Sequence, residues 1–211
     1  MSAAWTAGSA SRMPDPTPEA NPETAEVFRR IAASRGWVSN LLRSLGHAPE
    51  ALARFSALGH YGRYGNALTE RQRELVIVIV GRSIAYAWAH HAPLALDAGV
   101  TEAELAAIKA GRTPEGLDPA DRALCDFVFA YASFAGIPDP IWAALTAQFS
   151  PREATDIAML AAYYLAAGSL IIGLGVQVEP PEVLAIERNW QRRPRVGDQV
   201  VAETRQQGEI R

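Results

Sequence analysis

The feature that most constrains this chain is how plainly its helices mark their starts. At six points a Ser, Thr or Asp, able to accept from the orphan N–H groups of a first helical turn, is followed by proline or by Glu or Gln three places on. Thr17-Pro18-Glu19 predicts a helix running toward Ser34. Thr69 with Gln72 predicts a long helix ending near Ala98, and Thr101 with Glu104 a short one stopping at Gly111. Asp118-Pro119 opens a segment that ends near Gly136, Asp139-Pro140 opens the next, and Ser150-Pro151 with Glu153 opens the last. Six or more helices joined by short loops make an all-α chain, and the plan of a hairpin followed by a long apolar helix occurs twice, as two related helical halves would give.

Two segments test that reading. Leu75 to Val80 is an unbroken aliphatic run, mostly β-branched, which favours a strand on propensity alone. The capping box before it and the lack of a partner strand elsewhere favour a buried helix. From Ile157 to Val176 there is no charged residue, which is the length of a bilayer span. The run is rich in alanine, includes Gly168, Ser169, Gly173 and Gly175, and starts straight after Arg152 and Glu153. It therefore reads as a helix buried on most sides, with small residues allowing close approach, across a subunit interface if there is one.

Composition excludes several classes of function. The 211 residues are 49% hydrophobic and 20% charged, enough for one well-buried domain, with a formal net charge of -3. The arginines are interleaved with acids, so the basic footprint of a nucleic-acid binder is missing. Cys125 is the single cysteine, which rules out an intrachain disulfide and suits a cytoplasmic location. Residues 1–22 read as a disordered lead-in without the apolar core of a signal peptide, 23–190 as the helical domain, and 191–211 as a polar tail that is loosely held or embraces a neighbour.

The chemistry is concentrated between Leu68 and Gly111. Arg73-Glu74-Leu75, the Tyr-x-Trp-Ala-His-His run from Tyr86 to His91, Ala98-Gly99-Val100-Thr101 and the Glu-Leu-x-x-Ile at Glu104 to Ile108 together resemble the carboxymuconolactone decarboxylase and AhpD-like family. Asp139-Pro140-Ile141-Trp142, Phe149-Ser150-Pro151-Arg152-Glu153 and the Tyr163-Tyr164 pair extend the resemblance over roughly residues 40 to 185. It implies an AhpD-like helical bundle, a homo-oligomer such as a trimer or hexamer, and a small-molecule substrate. The family's peroxidases use Cys-x-x-Cys with a histidine four residues after the second thiol. Here that histidine is His91, and the thiol positions hold Ile84 and Ala87. Thiol peroxidation needs a thiolate and a resolving partner that these residues do not supply.

What remains on the Ile84, Ala87 and His91 face is a histidine at the foot of an apolar socket, with Trp88 beside it. His91 is suited to general acid/base work, and equally to a core position hydrogen-bonded to backbone. His90 lies about 100° away, on the face shared with Tyr86 and Arg82, so the two histidines do not converge on one metal, and neither a metal nor an organic cofactor is expected. Glu74 resembles the glutamate that relays protons to the family's histidine, although the ungapped match is Gln72; a surface salt bridge with Arg71 or Arg82 is the alternative. The decarboxylases' glutamate four residues before the histidine falls on Ala87. Gly59 to Asn66 reads as a loop whose Arg63 either grips a substrate carboxylate or is solvated. The catalytic candidates are thus His91, His90, Glu74 and Tyr86; Trp88, Ile84, Ala87, Arg63 and Arg82 are the substrate-binding ones. The expected activity is lyase or isomerase chemistry on a small organic acid or lactone. The alternatives are a non-catalytic binding or assembly protein, and residual peroxide reduction at Cys125. Nucleic acid and membrane are not expected partners.

Overall fold

The structure, a computed structural model, describes residues 10–191. Ten α-helices and no strand occur among them: α1 (Pro22–Arg35), α2 (Asn40–Ser44), α3 (Pro49–Tyr64), α4 (Glu70–Gly81), α5 (Ala85–Asp97), α6 (Glu102–Lys109), α7 (Pro119–Ala132), α8 (Asp139–Gln148), α9 (Pro151–Leu174) and α10 (Pro181–Gln191). Complete capping boxes hold the starts of α4, α6 and α9, at Thr69 with Gln72, Thr101 with Glu104 and Ser150 with Glu153.

α4 is the centre of the bundle. Leu75, Val76, Ile77, Val78 and Ile79 are at most 1% exposed, because α5, α7 and α9 surround the helix on all sides. Burial on every face rewards bulky aliphatic side chains whatever their intrinsic preference, so packing overrides the strand propensity of this run.

Four expectations are corrected. The long helix expected from Thr69 to Ala98 is two, divided at Arg82, Ser83 and Ile84, where the Ile84 N–H closes a turn onto the Gly81 carbonyl and Ile84 itself is extended. Gly81 permits the tight return of α5, since a Cβ there would lie 2.8 Å from that of Ala87. The helix expected at Thr17 gives only a 3-10 turn, Pro18–Ala20, because Thr17 makes no capping bond; Asn21 accepts from the Glu23 and Thr24 N–H groups, and α1 begins at Pro22. The expected loop from Gly59 to Asn66 is helical as far as Tyr64, the end of α3. The lead-in is held from residue 10, with the Arg12 N–H donating to the Leu174 carbonyl and Ala10 accepting from the Gln177 N–H; residues 1–9 and 192–211, and with them most of the expected tail, lie outside the described residues.

α9 is long and apolar enough to cross a membrane by length and composition, but only 39% of its most apolar window is buried here. It packs on α3, α4, α7 and α8 while leaving Met159 and Ile172 exposed, so it is covered on fewer sides than its sequence suggests. Its buried face carries Tyr163 and Asp156 into the interior.

Candidate active site

The split between α4 and α5 creates the site. Glu74 lies eight residues before Arg82 and His91 seven after Ile84, so folding the hairpin brings the two opposite one another. The Nδ1 of His91 is 3.0 Å from Oε2 of Glu74. Arg63, from the last turn of α3, places Nη1 3.4 Å from Glu74 Oε1 and 3.2 Å from His91 Nδ1. All three side chains are buried.

Nδ1 cannot both donate to Glu74 and accept from Arg63, and charge decides between the two. Burial pushes the Glu74 carboxyl up, but Arg63 and His91 outweigh it and hold the group below its ordinary value, so it is a carboxylate. A carboxylate at 3.0 Å demands a donor, which puts the proton on Nδ1 and leaves the lone pair on Nε2. Burial also lowers the pKa of His91 itself, with Glu74 pulling the other way and Arg63 adding to the fall, so the ring is neutral near pH 7. Arg63 stays charged because Glu74 overcomes the effect of its burial. Among the described residues His91 Nε2 has no hydrogen-bond partner.

A cavity of about 70 Å³ lies against this group, and His91, Arg63, Tyr86, Ala87 and His90 are in its wall. α9 adds Tyr163 and Tyr164, the latter edge-on to His91 at 5.1 Å and 89°. Burial raises the Tyr164 phenol above its usual range, so it is a neutral hydroxyl. Both histidines reach one cavity because rows 86–90 and 87–91 of α5 are adjacent and the cavity spans both.

The two rings are nonetheless in opposite states. His90 donates on both sides, Nε2 to Glu179 at 2.7 Å and Nδ1 to Glu187 at 2.5 Å, with Trp37 and Tyr86 stacked against the ring. Burial opposes its charge, yet the bonds to Glu179 and Glu187 lift its pKa to about 9. Burial raises the Glu187 carboxyl, but the bond from His90 carries it down to about 2. The Tyr86 hydroxyl donates to Glu179 at 2.8 Å, and burial followed by that carboxylate raises its pKa well above normal. With both nitrogens bound, His90 fastens α10 to α5.

Other candidates sit elsewhere. Trp88, one residue beyond Ala87, is turned away from the cavity and lies under the Lys109 ammonium at 4.3 Å. Arg82 donates to the Ile79 carbonyl and lies over the Phe129 ring at 5.3 Å, outside the cavity. Ile84 stands behind the wall, against Gly168. Arg71 pairs with Glu104 and Asp121 rather than with Glu74. Cys125 is fully buried in the main core, and burial, with Asp121 next, pushes its thiol up to about 12. A thiol so raised is poorly suited to residual peroxide reduction, which needs a thiolate. Sequence reasoning missed Arg35, Trp37, Glu179 and Glu187, and used Tyr163 and Tyr164 only for the resemblance; of these, only the tyrosine pair inside an uncharged run carried a signal.

Fold and site together define an all-α bundle with a carboxylate-oriented histidine at a cavity between helices. Residues 49–130 match the model of the carboxymuconolactone decarboxylase family. The matched segment carries the chain's likeness to the carboxymuconolactone decarboxylase family and holds Arg63, Glu74, Tyr86, His90 and His91. No curated protein matches the sequence. Among solved structures, an AhpD-core, peroxidase-related protein from Ralstonia eutropha JMP134 superposes with a TM-score of 0.69 at 20% identity, over 86% of this chain and 98% of that one. The debrominase Bmp8 superposes at 0.65 and 19% identity, over 84% and 94% of the two chains, and a Cys-to-Ala variant of it has been solved with 2,3,4-tribromopyrrole. A peroxidase-related protein from Silicibacter sp. TM1040 gives 0.68 at 17% identity, over 84% and 96%. At these identities the likeness is one of fold.

Proposed function

We propose that this protein is an enzyme of the lyase or isomerase type that moves a proton on a small organic acid or lactone, with His91 as general base. The carrying observation is His91 on the cavity wall with Glu74 hydrogen-bonded to its Nδ1. Glu74 fixes the tautomer and offsets the charge of the imidazolium formed when Nε2 takes a proton, the division of labour of a carboxylate–histidine dyad. The neutral Tyr164 hydroxyl and the Arg63 charge make a site in which an enolate is better tolerated than in apolar surroundings. Among the described residues no cysteine lines the cavity, so the reading does not pass through a thiol.

A second reading, a non-catalytic family member that binds a small ligand, is favoured by Ile84 and Ala87 at the thiol positions. In either case the partner is a small molecule rather than nucleic acid or a membrane. The chain works in the cytoplasm as a homo-oligomer, for which exposed Ile172, Met159 and Trp142 supply apolar surface.

The test is product formation and carbon dioxide release, read by mass spectrometry over a panel of lactones, β-keto acids and unsaturated carboxylic acids. The His91→Ala variant is expected to lose about 10²–10⁴-fold in kcat. The wild-type kcat/KM should rise with pH through a midpoint below 6.5, the ordinary histidine value. Turnover that survives in His91→Ala would sink the proposal, and saturable binding without product would move the assignment to the second reading.

A further inference from the structure

Arg63, one of the two arginines that the sequence offers for a substrate carboxylate, is already committed to Glu74 and His91; the other, Arg82, is outside the cavity. A different guanidinium faces in. Arg35, the last residue of α1, lines the cavity and is half-buried. Its Nη2 donates to the Ser56 carbonyl across a long 3.4 Å, and the guanidinium also hydrogen-bonds the Tyr163 hydroxyl. Among the described residues no carboxylate pairs with it, whereas on the same wall Arg63 has one and His90 two. A cation in a helix's last turn suits the helix dipole, but that role requires only charge near the carbonyls, and Gly36 already caps the end of α1.

Arg35 also lines an outer depression of about 350 Å³ between α1 and α3, beside Ile31, Ala53 and His60, so an anion can reach it from outside. From Arg35 the wall runs through Tyr163 to Tyr164, ring centres 5.3 Å apart, and on to His91 at 5.1 Å. The cavity of about 70 Å³ holds roughly five water-sized volumes, which suits an acid of a few carbons. Glu187, a carboxylate held by His90, is also in the wall and would repel a second negative charge.

We propose that Arg35 is the carboxylate anchor of this site, and that the ligand is a compact monocarboxylic acid held with its carboxylate on Arg35 and its reacting carbon toward His91 Nε2. The assignment rests on reading the cavity as the active site; the anchor itself is testable without turnover.

The probes are crotonate, its uncharged isostere crotonamide, and the dicarboxylate glutarate, titrated calorimetrically into the full chain. Wild type is expected to bind crotonate at least tenfold more tightly than the other two, the size of effect that charge-assisted, two-pronged binding gives. Arg35→Gln should erase the preference for acid over amide, Arg35→Lys should restore part of it, and thermal unfolding of each variant checks that it is folded. Acid preference persisting in folded Arg35→Gln, or no acid preference in wild type, overturns the anchor. If binding follows Arg35 while His91 variants keep full turnover, the anchor stands and the proposed catalysis falls.

Discussion

Titrating His90 is expected to cost the fold about 3 kcal/mol between pH 6.5 and 9. In the folded chain the ring, held by Glu179 and Glu187, titrates at about 9, against an ordinary value of 6.5. That difference of about 2.5 pH units corresponds to about 3 kcal/mol at 1.36 kcal/mol per unit. A raised folded-state pKa means that the stabilisation is fully present below pH 6.5 and is lost as pH climbs through 9. His91 has the opposite sign: its folded pKa is depressed, so its contribution is complete above 6.5 and is lost as pH falls through the folded value, which keeps it out of the window. The assay is urea unfolding followed by far-ultraviolet circular dichroism at pH 6, 7, 8 and 9. Wild type should lose on the order of 1 M in midpoint across the series, at the usual urea dependence of about 2–3 kcal/mol per M. His90→Gln, which does not titrate, should start lower and stay flat. A wild-type midpoint that is level or rising over this range, or a variant that falls as steeply, would refute the reasoning.

Three further predictions address the site and its support. Glu74→Leu strands the buried Arg63 charge and should cost about 3–5 kcal/mol, a fall of about 6–20 °C in Tm, most of it recovered in the Arg63→Met/Glu74→Leu double variant; additive losses in calorimetry would contradict the ion-pair account. Gly59→Ala places a methyl carbon 2.6 Å from the Tyr163 ring carbon bearing the hydroxyl, so a loss of about 1–3 kcal/mol and weaker ligand binding are expected by chemical denaturation and titration; an unchanged protein would show that the ring is not fixed there. Cys125→Ala should leave kcat per folded molecule unchanged and lower the Tm by a few degrees, whereas loss of turnover would restore a role for the thiol.

Local rules made the helices legible. Capping boxes at Thr69, Thr101 and Ser150 depend on neighbours three residues apart, and the structure has all three. The break at Arg82 to Ile84 was not legible, because one glycine in an apolar run is tolerated in a helix and only the packing of α5 onto α4 shows that it is used as a turn. That break decided the chemistry. Measured along one continuous helix, Glu74 and His91 fall at an awkward register; across a hairpin they meet. Arg35, Glu179 and Glu187 had no motif to reveal them, since each joins the site through contacts far away in sequence. Trp88 misled through adjacency, as one residue along a helix turns a side chain by about 100°.

The position of Glu179 and Glu187, later in the sequence than the other groups of the site, bears on how the protein is made. A ribosome delivers Arg63, Glu74 and His91 early, and α9 brings Tyr163 and Tyr164 soon after. The imidazole of His90 finds its two carboxylates only when residues 179 to 187 emerge from the exit tunnel. Until then the nascent bundle lacks the two carboxylates that raise the His90 pKa. The cavity acquires its charge pattern only once α10 has been made, so a polypeptide cut short after α9 would lack the finished wall.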